Sequence, residues 1–217
     1  MLTLKKHNFY YLLAGLLFLL VVLPLIRDLT GSDYPLISEL GYSVFLIIGI
    51  WSLPGTKSLF LSGIVLVILG IGSNFLAIAG AGYFFNYLSL ISHITFLLLT
   101  ISLAIRQVVS SGPINSNRVI GAICIYLLLG LIWSLFYVLL NMVVPGSFST
   151  QIGGVPFQQA HHFTYYSFVT LTTLGYGDIL PIRETARALS TIETIFGQFY
   201  IAILVGGVVA TFITRKN

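Results

Sequence analysis

Apolar residues fill this chain in six long blocks separated by short polar breaks. The blocks cover roughly residues 9–26, 36–53, 59–79, 83–105, 119–144 and 186–214. A helix crosses the hydrocarbon core of a bilayer with about 20 apolar residues, so each block predicts a transmembrane helix. The breaks carry turn formers, as in RDLTGSDYP, PGTK, GAG and SSGPINSN. A seventh segment, residues 159–173, is too short and too polar to span, and predicts a re-entrant helix. The expected fold is an all-α membrane protein: six transmembrane helices plus one re-entrant helix and the loop that follows it.

Composition agrees. The chain is 57% hydrophobic and 7% charged, whereas a soluble domain is about 25% charged; so few charges cannot cover a surface in water. The first apolar block is too long for a signal-peptide core and lacks a small-residue cleavage site after it, so it reads as a retained span. The single cysteine, Cys124, forms no intramolecular disulfide and reads as a small buried hydrophobe. The sequence has no P-loop, dinucleotide fingerprint, zinc-type Cys/His spacing or N-x-S/T acceptor. Neither an enzyme nor a cofactor is expected, and no small-molecule substrate is evident.

Charge sets the orientation. With a cytoplasmic N-terminus, the inner side holds Lys5, Lys6, Lys57, Arg106, Arg118, Arg215 and Lys216, and the outer side or its border holds Arg27, Arg183 and Arg187. That is the positive-inside pattern. The acids Asp28, Asp33, Asp178 and Glu184 fall outside, with Glu39 and Glu193 in the outer halves of spans. The net charge of +4 then belongs to a cytoplasmic rim facing anionic lipid headgroups and does not point to nucleic acid. Both termini are expected in the cytoplasm. The polar linker 108–118 separates a four-helix domain, 1–107, from a two-helix domain, 119–217. No internal repeat of the kind built into secondary transporters is visible.

The stretch SFVTLTTLGYGD ends in two glycines around a tyrosine, with an acid straight after. Irregular backbone at membrane depth persists only where protein buries it or water lines it. Gly175 and Gly177 can take dihedrals that other residues resist, which lets successive carbonyls point one way. Several copies around an axis would stack rings of oxygen able to replace the water shell of a cation, with Thr173 adding a hydroxyl ring at the inner end.

This stretch resembles the pore signature of potassium channels. Thr173-Leu174-Gly175-Tyr176-Gly177 matches the selectivity-filter pentapeptide, with Leu174 where valine is commoner. The likeness covers about 119–214 as outer helix, pore helix, filter, Pro181 and inner helix, and is nearest to bacterial pore domains of the ion-transport-2 type. It implies a homotetramer in a bacterial plasma membrane, conducting K+ passively. K+ would be held by the carbonyls of Thr173, Leu174, Gly175 and Tyr176, with Gly177 closing the filter. The pore helix, 160–172, would aim its C-terminal dipole at a cavity. Tyr165 and Tyr166 stand where many members carry tryptophans. The resemblance places Tyr165 on Asp178, and Tyr166 or Thr170 on the Tyr176 hydroxyl, with Thr172 also in support. Val169 replaces a glutamate that some relatives have there. Gly197 falls where the family carries its hinge, although close helix packing explains a glycine equally well. Gly206 and Gly207 are either a second hinge or a narrow crossing of helices. Glu193 is an intramembrane acid and so a site candidate, expected to hydrogen-bond pore-helix or filter backbone. Gln198 is expected to face the cavity.

The first four helices match only in number and placement, which gives a voltage-gated-like architecture without the means to sense voltage. Sensors move about three or four charges per subunit, and the fourth helix here has Arg106 alone. Conduction without steep voltage dependence is therefore expected. His93 reads as a packed polar group. His161 and His162 read as helix-start residues, with proton block and metal binding as lesser alternatives. A less selective cation pore, a secondary transporter and a non-conducting regulatory subunit remain the rival readings.

Overall fold

The computed structural model describes residues 8–30, 35–52, 57–109, 116–150 and 160–214. Lys5, Lys6, Asp33, Arg215 and Lys216 of the charge pattern lie outside the described residues, as do residues 110–115 of the linker.

Helices follow the apolar blocks in order. The first block forms α1 (Asn8–Leu17), a π-helical turn (Phe18–Val22) and α2 (Leu23–Thr30) without a break. The π turn has a cause in the sequence. Pro24 has no N–H to give the helix ladder, and just before it the Leu23 N–H reaches back five residues to the Phe18 carbonyl, widening the turn. The remaining helices are α3 (Pro35–Ser52), α4 (Lys57–Ile78), α5 (Tyr83–Val109), α6 (Ser116–Val143), α7 (Ala160–Leu171) and α8 (Glu184–Thr214). Among the described residues, Asn8–Ile26, Lys57–Ile78, Tyr83–Val109 and Ser116–Val143 are long and apolar enough to cross a membrane. At 12 residues, α7 is about 18 Å long, well short of the hydrocarbon core.

One element departs from the all-helical expectation. β1 (Phe148–Thr150) and β2 (Ile179–Pro181) pair antiparallel, with Phe148 opposite Pro181 and Thr150 opposite Ile179. Gly146, at φ 75°, turns the chain out of α6 into β1. The Ser147 carbonyl then accepts the Ile182 N–H at 2.8 Å. The pair fastens the segment after the TLGYG loop to the segment after α6. Strands of three residues are too short to leave a period in the sequence.

The chain divides into two compact units, Met1–Leu128 and Leu129–Asn217, so the division falls inside α6 and not at the linker 108–118. The two ends of α6 have different neighbours, which explains this. In the first unit a Cβ at Gly121 would stand 2.6 Å from the Phe9 ring, and the Cys124 thiol faces the Phe9 carbonyl at 3.6 Å. In the second unit a Cβ at Gly130 would stand 2.7 Å from the Phe168 ring.

Within the first unit, several polar groups pair across its helices. The Asn8 and Gln107 amides pair reciprocally at 2.8 and 3.1 Å, and Asn117 joins at 3.1 Å. Arg118 donates to the Val108 carbonyl at 3.0 Å, covering an acceptor that the end of α5 leaves open. His93 is the packed polar group expected: Nδ1 lies 2.7 Å from the Ser89 carbonyl, and its ring stands edge-on to Tyr42 at 5.0 Å.

Candidate ion-conduction site

The site is built on the C-terminal end of α7. The Thr173 N–H bonds the Thr170 carbonyl at 2.9 Å, and the Leu174 N–H bonds the Val169 carbonyl at 2.9 Å. These are the paired bonds of a Schellman cap, which normally needs a glycine in the left-handed region. Here the residue is Thr173, at φ 60°. A β-branched residue resists that conformation by about 1–2 kcal/mol, so the cap's two hydrogen bonds hold a strained threonine in place. Its hydroxyl donates to the Thr172 carbonyl at 2.6 Å, and the Thr172 hydroxyl donates to Phe168 at 2.6 Å.

The cap fixes where the next carbonyls point. The N–H groups of Leu174 and Gly175 both turn to the Val169 carbonyl, at 2.9 and 3.4 Å. A trans peptide places its C=O opposite its N–H, so the carbonyls of Thr173 and Leu174 point away from α7. Beyond them, Gly175 at φ 59° and Gly177 at φ 79° alternate with residues of negative φ. Alternating hand aligns successive peptide dipoles, as in backbone nests, whereas a strand would alternate them. Leu174 and Tyr176 are 55% and 67% exposed in the single chain, so the strand lies open on one side.

The outer end of the loop is clamped. Tyr165 donates to Asp178 Oδ2 at 2.6 Å, the bond expected from the sequence. Asp178 Oδ1 accepts the Ile179 N–H at 3.0 Å, and the Tyr165 ring lies parallel to the Tyr176 ring, 6.5 Å away. Tyr165→Phe removes one hydrogen bond from a half-exposed position. We expect a loss of about 0.5–1.5 kcal/mol, measured as a modest fall in the thermal midpoint of the solubilised protein. Tyr166→Phe, at a buried position, should lower the midpoint further.

Three expectations need correction. Within one chain Tyr166 does not reach the Tyr176 hydroxyl, and its own hydroxyl meets Ser190 on α8 at 2.7 Å. Within one chain Thr170 does not reach the Tyr176 hydroxyl either. Adjacent helix residues are about 100° apart, so when Tyr165 faces the loop, Tyr166 turns to the interior. Glu193 does not meet backbone: its carboxyl, fully buried, touches the hydroxyls of Tyr137 and Ser167.

Gly197 has a packing reason. A Cβ there would lie 2.2 Å from the Leu171 carbonyl oxygen, so glycine is what lets α8 rest on the end of α7. α8 runs unbroken through Gly197, Gly206 and Gly207, and a Cβ at Gly207 would meet nothing within 4 Å. Gln198 Nε2 lies 3.4 Å from the Thr173 hydroxyl, at the inner end of the loop. The His161 and His162 rings sit 4.1 Å apart in the first turn of α7.

Phe148, Tyr137, Phe163 and Ser167, which sequence reasoning passed over, complete the support. Phe148, Tyr137, Tyr166 and Phe163 form an edge-to-face cluster with centroid separations of 5.0–5.4 Å. The Ser167 hydroxyl lies 2.7 Å from the Gly130 carbonyl. A hydroxyl in an apolar helix is a usable signal, because it needs a partner there. Phe148 leaves none.

Residues 124–214 match the ion channel family. The matched segment starts inside α6 and contains α7, the TLGYG loop and all of α8. Over 67 residues the chain is 34% identical to "Two pore potassium channel c" of Oryza sativa subsp. japonica, a stretch that is 31% of this chain and 14% of the rice protein. The chain therefore spans a small part of that relative's length. The apolar helices mark a membrane protein, and its residues 124–214 are similar to ion channels.

Proposed function

We propose that the chain is the subunit of a homotetrameric, potassium-selective channel. Each subunit crosses the membrane six times, through the α1–α2 helix, α3, α4, α5, α6 and α8, with both termini in the cytoplasm and lipid around the outer faces. Four copies of the loop surround the axis, and K+ passes in file along the carbonyls of Thr173, Leu174, Gly175 and Tyr176, replacing its water shell. K+ is cargo, and no cofactor takes part. The observation that carries this reading is the direction of the loop carbonyls: the amides are engaged by α7, so the oxygens face the open side.

Exposed apolar side chains favour closure around an axis. Tyr176, Phe199 and Ile203 are 67%, 66% and 72% exposed in one chain, and additional copies would cover them. Arg106 is the only Lys or Arg of α5, too little charge for steep voltage dependence.

Purified protein in planar bilayers tests the proposal. With potassium on one side and sodium on the other, the reversal potential should follow the potassium gradient and change little with voltage protocol. A reversal potential indifferent to the swap would indicate a less selective cation pore. Intact tetramers with no current would indicate a non-conducting subunit.

A further inference from the structure

Glu193 sits 0% exposed at the junction of three helices of the second unit. Its Oε1 lies 2.5 Å from the Ser167 hydroxyl on α7, and its Oε2 accepts from the Tyr137 hydroxyl on α6. The same Ser167 hydroxyl lies 2.7 Å from the Gly130 carbonyl on α6. Both Ser167 contacts are of full hydrogen-bond length for O–H···O, and each needs a proton. A serine hydroxyl has one, and a peptide carbonyl has none. Were the carboxyl ionised, one of the two contacts would set bare acceptor against bare acceptor. The missing proton must belong to Glu193.

The surroundings point the same way. The neighbouring titratable groups are Tyr137 and Tyr166, the latter held on Ser190 at 2.7 Å, and Ser190 itself donates to Ala186 at 2.8 Å. Among the described residues no cation stands against the carboxyl, and an uncompensated charge in a dry interior is strongly disfavoured.

We propose that Glu193 is an uncharged positioning residue. It donates to Ser167, Ser167 donates to the Gly130 carbonyl, and Tyr137 donates to the other carboxyl oxygen. This directed chain locks α7 between α6 and α8 and so holds the loop that α7 carries. Its effect on conduction rests on the channel reading; the proton assignment does not.

The proton count makes glutamine the decisive substitution. In Glu193→Gln the amide N–H donates to Ser167 and the amide oxygen accepts from Tyr137, so every bond keeps its direction. An ionised carboxylate, which only accepts, would have no such mimic. The full solubilised chain is compared as wild type, Glu193→Gln, Glu193→Leu and Ser167→Ala. Infrared spectra should show a protonated-carboxyl carbonyl band in wild type that Glu193→Gln lacks. Glu193→Gln should keep its thermal midpoint and potassium flux within about twofold, while Glu193→Leu and Ser167→Ala lower flux about tenfold, the scale of an unsatisfied buried group. The proton assignment is overturned if Glu193→Gln is as damaged as Glu193→Leu, or if no such band is lost. The positioning role is overturned if Glu193→Leu conducts like wild type. A protein that carries no potassium current at all would sink the channel reading, yet the infrared and stability measurements would still decide the proton.

Discussion

Gly197→Ala is expected to disrupt the second unit of the molecule, releasing subunits from the proposed tetramer and abolishing the potassium current proposed for it. The added methyl would stand 2.2 Å from the Leu171 carbonyl oxygen and 3.1 Å from its carbon, and these are backbone atoms that no rotamer change can move. Leu171 cannot yield, because the next residues close the cap of α7 and start the TLGYG loop. α8 must therefore retreat. Overpacking a filled interior costs about 1–3 kcal/mol, and a backbone collision belongs at the top of that range, repeated in every subunit. Helix propensity pulls the other way, since alanine gains about 1 kcal/mol over glycine inside a helix. The sign of the change in thermal midpoint thus separates the two roles discussed for this glycine. A packing glycine gives a lower midpoint and loss of tetramer on size-exclusion chromatography. A hinge alone gives a higher midpoint, an intact tetramer and altered opening. Gly207→Ala is the matched control, with nothing within 4 Å of its methyl position, and should leave assembly unchanged.

How much was legible beforehand depended on the range of the interactions. The apolar blocks marked every helix but α7, because a long apolar run is a property of each block alone. The loop was legible too: paired glycines between apolar runs are hard to explain otherwise, and Tyr165 reaches an acid only a short way along the chain. What escaped was decided by distant partners. Tyr166 chose Ser190, and Glu193 chose Tyr137 and Ser167, through a packing of three helices that no local pattern encodes. The left-handed Thr173 escaped for a different reason. Threonine is among the least suited residues to positive φ, so local preference argued against what the helix cap and loop impose. The domain boundary was placed at the most polar linker, yet the structure puts it inside α6, because one long helix serves both units.

Gly177→Ala should leave each subunit folded and remove potassium selectivity. In one chain a methyl on Gly177 meets nothing within 4 Å, so sterics between residues do not decide the outcome. The backbone does. Gly177 holds φ 79°, which an L-residue disfavours by about 1–2 kcal/mol. Thr173 bears a similar strain, but two backbone bonds of the α7 cap restrain it; among the described residues Gly177 makes no backbone bond of that kind. Alanine there relaxes by rotating the peptide that precedes it, and that peptide carries the Tyr176 carbonyl. A bias of about 1–2 kcal/mol shifts a two-state equilibrium by roughly 5- to 30-fold, and under the proposed symmetry an intact oxygen ring needs all four carbonyls inward at once. The ring is therefore lost far more often than any single carbonyl turns. Gly175→Ala should act in the same direction and less strongly, since the Gly175 N–H retains its 3.4 Å contact with Val169. Mixed potassium and sodium recordings on reconstituted Gly177→Ala protein provide the check, with tetramer size measured on the same sample. Intact tetramers that have lost discrimination between the two ions are the expected result. A variant that still reverses at the potassium potential, with ordinary conductance, would mean that ions do not pass along these carbonyls.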